Sequence, residues 1–231
     1  MGVSTLPAGT FVVIPARNEE AVLGTVLDDL LSAYPDADVV VVDDGSSDHT
    51  PGVARARRIH LLRHIVNLGQ GASIGTGIDY ALAQGAEIVV TFDADGQMSA
   101  ADVQTVVDPV ATGDCDVALG TRFAVHRPAG MSFARRLLLR AALVFTRLTS
   151  GLSVTDIHNG FRAFNRKALE SIEITQNRMA HASEILHEIA RLKLRWKEVP
   201  VRISYSEYSR RKGQSSLGAV DILLDLIFAK R

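Results

Sequence analysis

Two aspartates separated by one small residue, Asp93-Ala94-Asp95, are followed at once by Gly96 and Gln97. In an extended segment carboxylates at this spacing share a face, and in a tight turn both can face one ion. Hard oxygen ligands of this kind, with Gln97 beside them, suit Mg²⁺ or Mn²⁺. Such ions keep several waters and commonly take substrate phosphates as further ligands. A cation held there would neutralise charge that builds on a departing diphosphate. The cluster does not continue into a calcium loop, because no glutamate stands between 102 and 107. A solvated Asp-x-Asp-Gly turn is the competing reading of the same residues.

Two further clusters have chemical potential. Asp43-Asp44-Gly45-Ser46-Ser47-Asp48 could accept from a ribose hydroxyl or a base N–H. It could equally be a turn in which Ser47 or Asp48 caps the helix near Pro51. Asn67-Leu68-Gly69-Gln70-Gly71 could present backbone N–H groups to an anion, or be a plain turn.

Elements that would position these clusters are legible from periodicity. Apolar runs at 10–14, 39–42, 60–65, 88–92 and 116–120 predict strands. Helices are predicted at 19–33, where Val22, Val26, Leu30 and Leu23, Leu27, Leu31 recur at helical spacing, and at 51–58, 71–84 and 99–110. Ser99 is placed as a cap, with Asp102 in the first turn. Beyond 150 the pattern gives helices at 166–171 and 182–192, a strand at 197–204 and a polar, basic loop at 206–216. Strands alternating with helices predict a parallel sheet covered on both faces, which binds ligands beyond the carboxyl ends of its strands. The polar clusters at 15–19, 43–46, 93–97 and 120–122 follow four such strands and should converge on one edge.

Bulk properties narrow the classes. A chain of 231 residues suits one large domain. Its single cysteine, Cys115, excludes an internal disulfide, fits a reducing compartment and reads as a small buried apolar residue. A net charge of -1 gives no case for a nucleic-acid partner. Between 117 and 155, however, six arginines (Arg122, Arg127, Arg135, Arg136, Arg140 and Arg147) occur with no Asp or Glu. Such a segment favours phosphate or an anionic membrane surface, unless it is a solvated basic face. Residues 1–10 do not read as a signal peptide, and the apolar stretches at 137–148 and 217–229 are too short to span a bilayer.

Ile14-Pro15-Ala16-Arg17-Asn18-Glu19, Val42-Asp43-Asp44-Gly45-Ser46-Ser47-Asp48, Asn67-Leu68-Gly69 and Asp93-Ala94-Asp95-Gly96-Gln97 together, in order and spacing, resemble glycosyltransferase family 2, whose fold is GT-A. Gly120-Thr121-Arg122, the stretch from Asp156 through Asn159-Gly160-Phe161-Arg162, Glu198-Val199-Pro200-Val201 and 210–217 are similar to its dolichol- or polyprenol-phosphate sugar transferase branch, the dolichol-phosphate mannosyltransferase-like enzymes. The resemblance covers roughly residues 10–225.

It implies an α/β GT-A fold: a mostly parallel, Rossmann-like twisted sheet flanked by helices, in one domain with C-terminal amphipathic helices. Residues 1–9 would be a flexible N-terminus and 10–231 the domain. Within it, 10–122 would be the nucleotide-sugar half and 123–231 the acceptor half, with interfacial helices at 136–148 and 217–229. Pro15, Arg17, Glu19 and Asp44 would hold the nucleotide, Asp93, Ala94, Asp95 and Gln97 the donor diphosphate, and Asp93, Asp95 and Gln97 the metal. Arg122 and Arg136 would hold an acceptor phosphate, which guanidinium groups grip in a fork. Arg210, in Arg-x-x-Gly-x-Ser, would close over the donor. The family often has Lys where this chain has Ser216, so Arg211 or Lys212 would have to supply that cation.

The first expectation is therefore an inverting transfer of a hexose, from a GDP-mannose or UDP-glucose type of donor, to a polyprenyl or dolichyl phosphate. Asp95 and Arg210 would be catalytic with Mg²⁺ or Mn²⁺. The chain would be cytoplasmic and peripheral on the inner face of a membrane, anchored alone, by a membrane-spanning partner or as a homo-oligomer. A second reading keeps the family and takes a soluble hydroxyl or glycan acceptor, with Glu184 as general base. A phosphate acceptor needs no base, so Glu184 would then be structural or would contact the acceptor side. His158 and His181 receive no role. A third reading is a non-catalytic nucleotide-binding module.

Overall fold

Runs such as Phe11-Val12-Val13-Ile14 and Val39-Val40-Val41-Val42 have no polar face and must be buried on both sides. In the computed structural model, which describes residues 5–122, 152–157 and 159–204, they form the middle of a seven-stranded sheet. Its strands are β1 (Thr10–Ala16), β2 (Asp38–Asp44), β3 (His60–His64), β4 (Ile88–Thr91), β5 (Val117–Thr121), β6 (Arg162–Asn165) and β7 (Trp196–Pro200). The order is β3-β2-β1-β4-β6-β5-β7. β6 runs antiparallel to both β4 and β5, and the remaining pairs are parallel. One edge of the sheet therefore collects the carboxyl ends of six strands and the amino end of β6.

Helices cover both faces: α1 (Leu23–Ala33), α2 (Thr50–Arg55), α3 (Gln70–Ala83), α4 (Val103–Ala111), α5 (Arg166–Ser171) and α6 (His181–Arg191). Because strand side chains alternate, Val12, Ile14, Val39, Val41 and Phe92 pack against α1 and α4. Phe11, Val13, Val40 and Val42 point the other way, onto Ile74 and Ile78 of α3 and a layer including Ile185 and Ile189 of α6. Gly77 lets α3 lie directly on the sheet, since a Cβ there would sit 2.3 Å from Val13 Cγ1. Cys115 is buried, as its type suggested.

The sheet is mostly parallel, as expected, but β6 was not anticipated. α1 begins at Leu23 rather than 19, because residues 19–22 form a turn in which the Glu19 carbonyl accepts from Val22 and Leu23 N–H. Ser99 makes no side-chain cap; a 3₁₀ turn (Ala100–Asp102) precedes α4 instead. The Asp102 carboxylate accepts from the Arg202 N–H at 2.7 Å and its Nη2 at 2.6 Å. β7 stops at Pro200, and the chain then crosses to the Asp93–Gln97 turn, where Ser204 N–H donates to the Gln97 carbonyl at 2.8 Å. Residues 5–9 do not lie apart from the domain: the Gly9 carbonyl accepts from Glu87 and Ile88 N–H, and Leu6 packs on the core. No helix among the described residues is long and apolar enough to cross a membrane. The segments 136–148, 206–216 and 217–229 lie outside the described residues.

Candidate active site

Asp93 leaves β4 one residue after Phe92, whose N–H still donates to the Val13 carbonyl. Gly96 has φ +75, a left-handed turn that a side chain would strain. This turn folds Gln97 back onto Asp95: the Gln97 N–H donates to Asp95 Oδ1 at 3.0 Å and its Nε2 to Oδ2 at 2.5 Å. Asp93 is held from the other side, with Gln70 Nε2 donating to Oδ1 at 3.0 Å. Gly160 packs on the same carboxylate, so that a Cβ there would lie 2.9 Å from Oδ2 and 3.1 Å from Oδ1.

Burial pushes the Asp93 carboxyl up to about 7, and the charges of Asp95 and Glu19 push the same way, against Arg162 and the Gln70 hydrogen bond. Two carboxylates arranged at such electrostatic cost fit a cation. The Gln97 amide nitrogen is spent on Asp95, which leaves its amide oxygen as the end able to ligate. Among the described residues no group of three or more His, Cys, Asp or Glu forms a complete cage. Asp93, Asp95 and Gln97 thus suit a Mg²⁺ or Mn²⁺ ion whose other ligands are water and phosphate oxygens.

Beside this turn, the β1–α1 and β2–α2 loops are hydrogen-bonded together. Asn18 N–H donates to Ser46 Oγ, Ser47 N–H to Asn18 Oδ1, Glu19 N–H to Thr50 Oγ1 and His49 N–H to Glu20 Oε2. Pro15 is buried in β1, Arg17 is exposed at the rim and Glu19 is buried. Asp48, not Ser47, turns the chain into α2, its Oδ1 accepting from Thr50 N–H at 3.0 Å. Asp44 is 4% exposed and strongly engaged: Leu68 N–H and His64 Nδ1 meet Oδ1, and Gly69 N–H donates to Oδ2. Burial alone would raise its pKa, but those hydrogen bonds and the His64 charge outweigh it and hold the carboxyl below its ordinary value. Two backbone N–H groups of the 67–71 turn thus meet an anion, and it is the chain's own Asp44.

On the far side, Arg122 follows β5 and forks onto Asp156, Nε to Oδ2 at 2.8 Å and Nη2 to Oδ1 at 3.1 Å. The Arg122 side chain is still 31% exposed. Arg136, Arg210, Arg211, Lys212, Ser216 and His158 lie outside the described residues.

Glu184, in the first turn of α6, accepts from Thr175 N–H and Oγ1 and from Gln176 N–H. That loop presses on the start of α3: Ala72 N–H donates to the Asn177 carbonyl, and a Cβ on Gly71 would lie 2.0 Å from the Gln176 oxygen. Next to it His181 is buried, with its Nδ1 2.7 Å from the Arg178 carbonyl. Burial, aided by the Arg162 charge, lowers its pKa to about 4.

Four residues at this edge escaped assignment: Gln70, Asp156, Gly160 and Arg162. The last three stand in the Asp156–Arg162 stretch whose pattern is visible in the sequence. Residue type does not reveal that Arg162 is buried or that Gly160 touches Asp93.

A strand-end edge of this order, with a two-carboxylate turn after β4, fits the GT-A type of fold. Residues 11–173 match the profile of glycosyl transferase family 2, and the chain belongs to that family. It is 38% identical to an uncharacterised protein of Methanocaldococcus jannaschii, over 95% of this chain and 91% of that one. It is 29% identical to the UDP-N-acetylglucosamine–dolichyl-phosphate N-acetylglucosaminyltransferase of Methanococcus voltae, over 95% of each. The polyprenol monophosphomannose synthase of Mycolicibacterium smegmatis is 31% identical, over 72% of this chain and 65% of that protein. Among solved structures, glucosyl-3-phosphoglycerate synthase from Mycobacterium tuberculosis with phosphoglyceric acid superposes with a TM-score of 0.69 at 24% identity, covering 94% of this chain and 79% of that one. The last likeness is one of fold.

Proposed function

We propose that this chain transfers a hexose, with inversion, from a nucleoside-diphosphate sugar to a polyprenyl phosphate at a membrane surface. The observation that carries the reading is the Asp93–Gln97 turn, lying between the zippered β1–α1 and β2–α2 loops and the Arg122–Asp156 pair. The names of the M. voltae and M. smegmatis relatives support a polyisoprenoid phosphate as acceptor.

The zippered loops hold the nucleoside, with Pro15, Arg17 and Glu19 lining that side. Asp93, Asp95 and Gln97 would hold a divalent cation, Mn²⁺ or Mg²⁺, whose charge would offset that of the departing diphosphate. Asp44 holds the 67–71 turn beneath the nucleotide rather than offering a free carboxylate. Arg122 orients an acceptor phosphate, which is already an oxyanion near neutral pH and needs no proton removed before attacking the anomeric carbon. Arg210, which the family resemblance assigns to the donor, would supply positive charge to the departing diphosphate. The engagement of Glu184 by Thr175 and Gln176 supports this acceptor over a hydroxyl, which would need a base.

The test is to incubate the protein with labelled GDP-mannose, UDP-glucose or UDP-N-acetylglucosamine, Mn²⁺ or Mg²⁺, and a polyprenyl phosphate in detergent or vesicles. Label is expected in the lipid fraction from one donor, dependent on metal. Transfer only to soluble hydroxyl acceptors would replace this reading with the second one.

A further inference from the structure

Arg162 opens β6, the strand that runs against its neighbours, and is 3% exposed. It is the only buried arginine or lysine among the described residues. Its hydrogen bonds go to main-chain carbonyls: Nε donates to Asn159 at 3.1 Å, and Nη2 to Ile157 at 3.0 Å and Ala182 at 3.2 Å. Carbonyls satisfy the donors but do not neutralise the charge, and a buried cation without counter-charge is costly. Asn159 links it to Asp156, its Nδ2 donating to Asp156 Oδ2 at 3.5 Å while its carbonyl takes Arg162 Nε, and Asp156 and Asp93 are the carboxylates whose charge bears on the guanidinium. These belong to opposite halves of the site. Asp156 grips Arg122 on the acceptor side, while Asp93 belongs to the metal turn. The segment from 157 to 162 joins them physically. The Gly160 carbonyl accepts from Thr91 Oγ1 at 2.5 Å, one strand position from Phe92 and two from Asp93. Gly160 itself lies against the Asp93 carboxylate.

We propose that Arg162 is a positioning residue whose single buried charge is shared between Asp93 and Asp156, coupling the metal turn to the acceptor-side arginine. The inference rests on the transferase reading, in which Asp93 is a metal ligand. It makes two opposed demands. Neutralising Asp156 removes a negative charge that offsets Arg162, so the guanidinium opposes a divalent cation at the Asp93 turn more strongly. Removing the Arg162 charge leaves Asp93 and Asp95 more attractive to that cation. A purely structural role would weaken binding in both cases.

The probe is Mn²⁺ titrated calorimetrically, in alkaline buffer, into protein saturated with UDP or GDP. Asp156→Asn is expected to weaken Mn²⁺ binding about three- to tenfold, and Arg162→Gln to tighten it by a similar factor. Shifts in the same direction, or Mn²⁺ affinity in Asp156→Asn within twofold of wild type, would overturn the inference. The second criterion stands even if Arg162→Gln does not fold. Failure of wild type to bind Mn²⁺ with either nucleotide would instead count against the transferase reading itself.

Discussion

Replacing Glu184 by Gln separates a loop anchor from a general base. The Glu184 carboxylate accepts from Thr175 N–H at 3.1 Å, from Thr175 Oγ1 and from Gln176 N–H at 2.9 Å. Glutamine keeps the shape but replaces one acceptor oxygen with an NH₂ that faces these donors. Hydrogen bonds to a charged group contribute roughly 1.5–3 kcal/mol when buried, and less where water competes, as it does at this half-exposed side chain. The net loss should therefore be about 1–2 kcal/mol, or about 2–8 °C in Tm for a domain of this size. Thermal unfolding reads that value directly. Sugar transfer measured well below the transition should keep kcat within about threefold. The small loss comes from loosening the 175–177 loop on Gly69 and Gly71. A general base would behave in the opposite way, with Tm nearly unchanged and kcat down about a hundredfold to ten-thousandfold. That second pattern would refute the anchoring role and bring back a hydroxyl acceptor.

Three further outcomes are expected. Gly160→Ala brings a Cβ to 2.9 Å from Asp93 Oδ2, so the carboxylate must shift by a few tenths of an ångström. kcat/KM should fall about tenfold, with a higher Mn²⁺ requirement and little change in Tm; unaltered metal dependence would mean that Asp93 does not ligate. Gly77→Ala drives a Cβ to 2.3 Å from Val13 Cγ1 and should cost about 1–3 kcal/mol in denaturant unfolding, through lifting of α3 from the sheet. His181 is held neutral, its pKa lowered from 6.5 to about 4, so its contribution to stability is complete above 6.5 and drains away as pH falls toward 4. The total is about 3 kcal/mol, and a wild-type minus His181→Asn difference that stays flat across that window would contradict it.

What could be read in the sequence depended on range. β1 and β2 announce themselves because uninterrupted β-branched runs can only be buried on both faces. The Asp93–Gln97 turn is equally legible, since its carboxylates, its amide and its glycine lie within five residues. β6 is not, because Arg-Ala-Phe-Asn is too short to show a period and exists only through pairing with β4 and β5. The same limit applies to side-chain partners. Asp44 and Arg122 are visible in the sequence as polar residues at the ends of apolar strand runs. That Asp44 meets His64, and that Arg122 forks onto Asp156 thirty-four positions away, follows from the fold alone. Helix ends drifted for a local reason: residues 19–22 have helical composition, but the turn that seats Glu19 under Thr50 uses them first.

The most direct test is transfer of labelled sugar from a nucleoside-diphosphate sugar to a polyprenyl phosphate, comparing wild type with Asp93→Asn and Asp95→Asn at saturating Mn²⁺. Wild type should form a glycosylated lipid that is lost on chelation with EDTA. Each variant should fall by at least about a hundredfold in kcat/KM while keeping its melting temperature. Lipid product formed at an undiminished rate by either variant, or by wild type in EDTA, would contradict a metal-centred transfer at this turn.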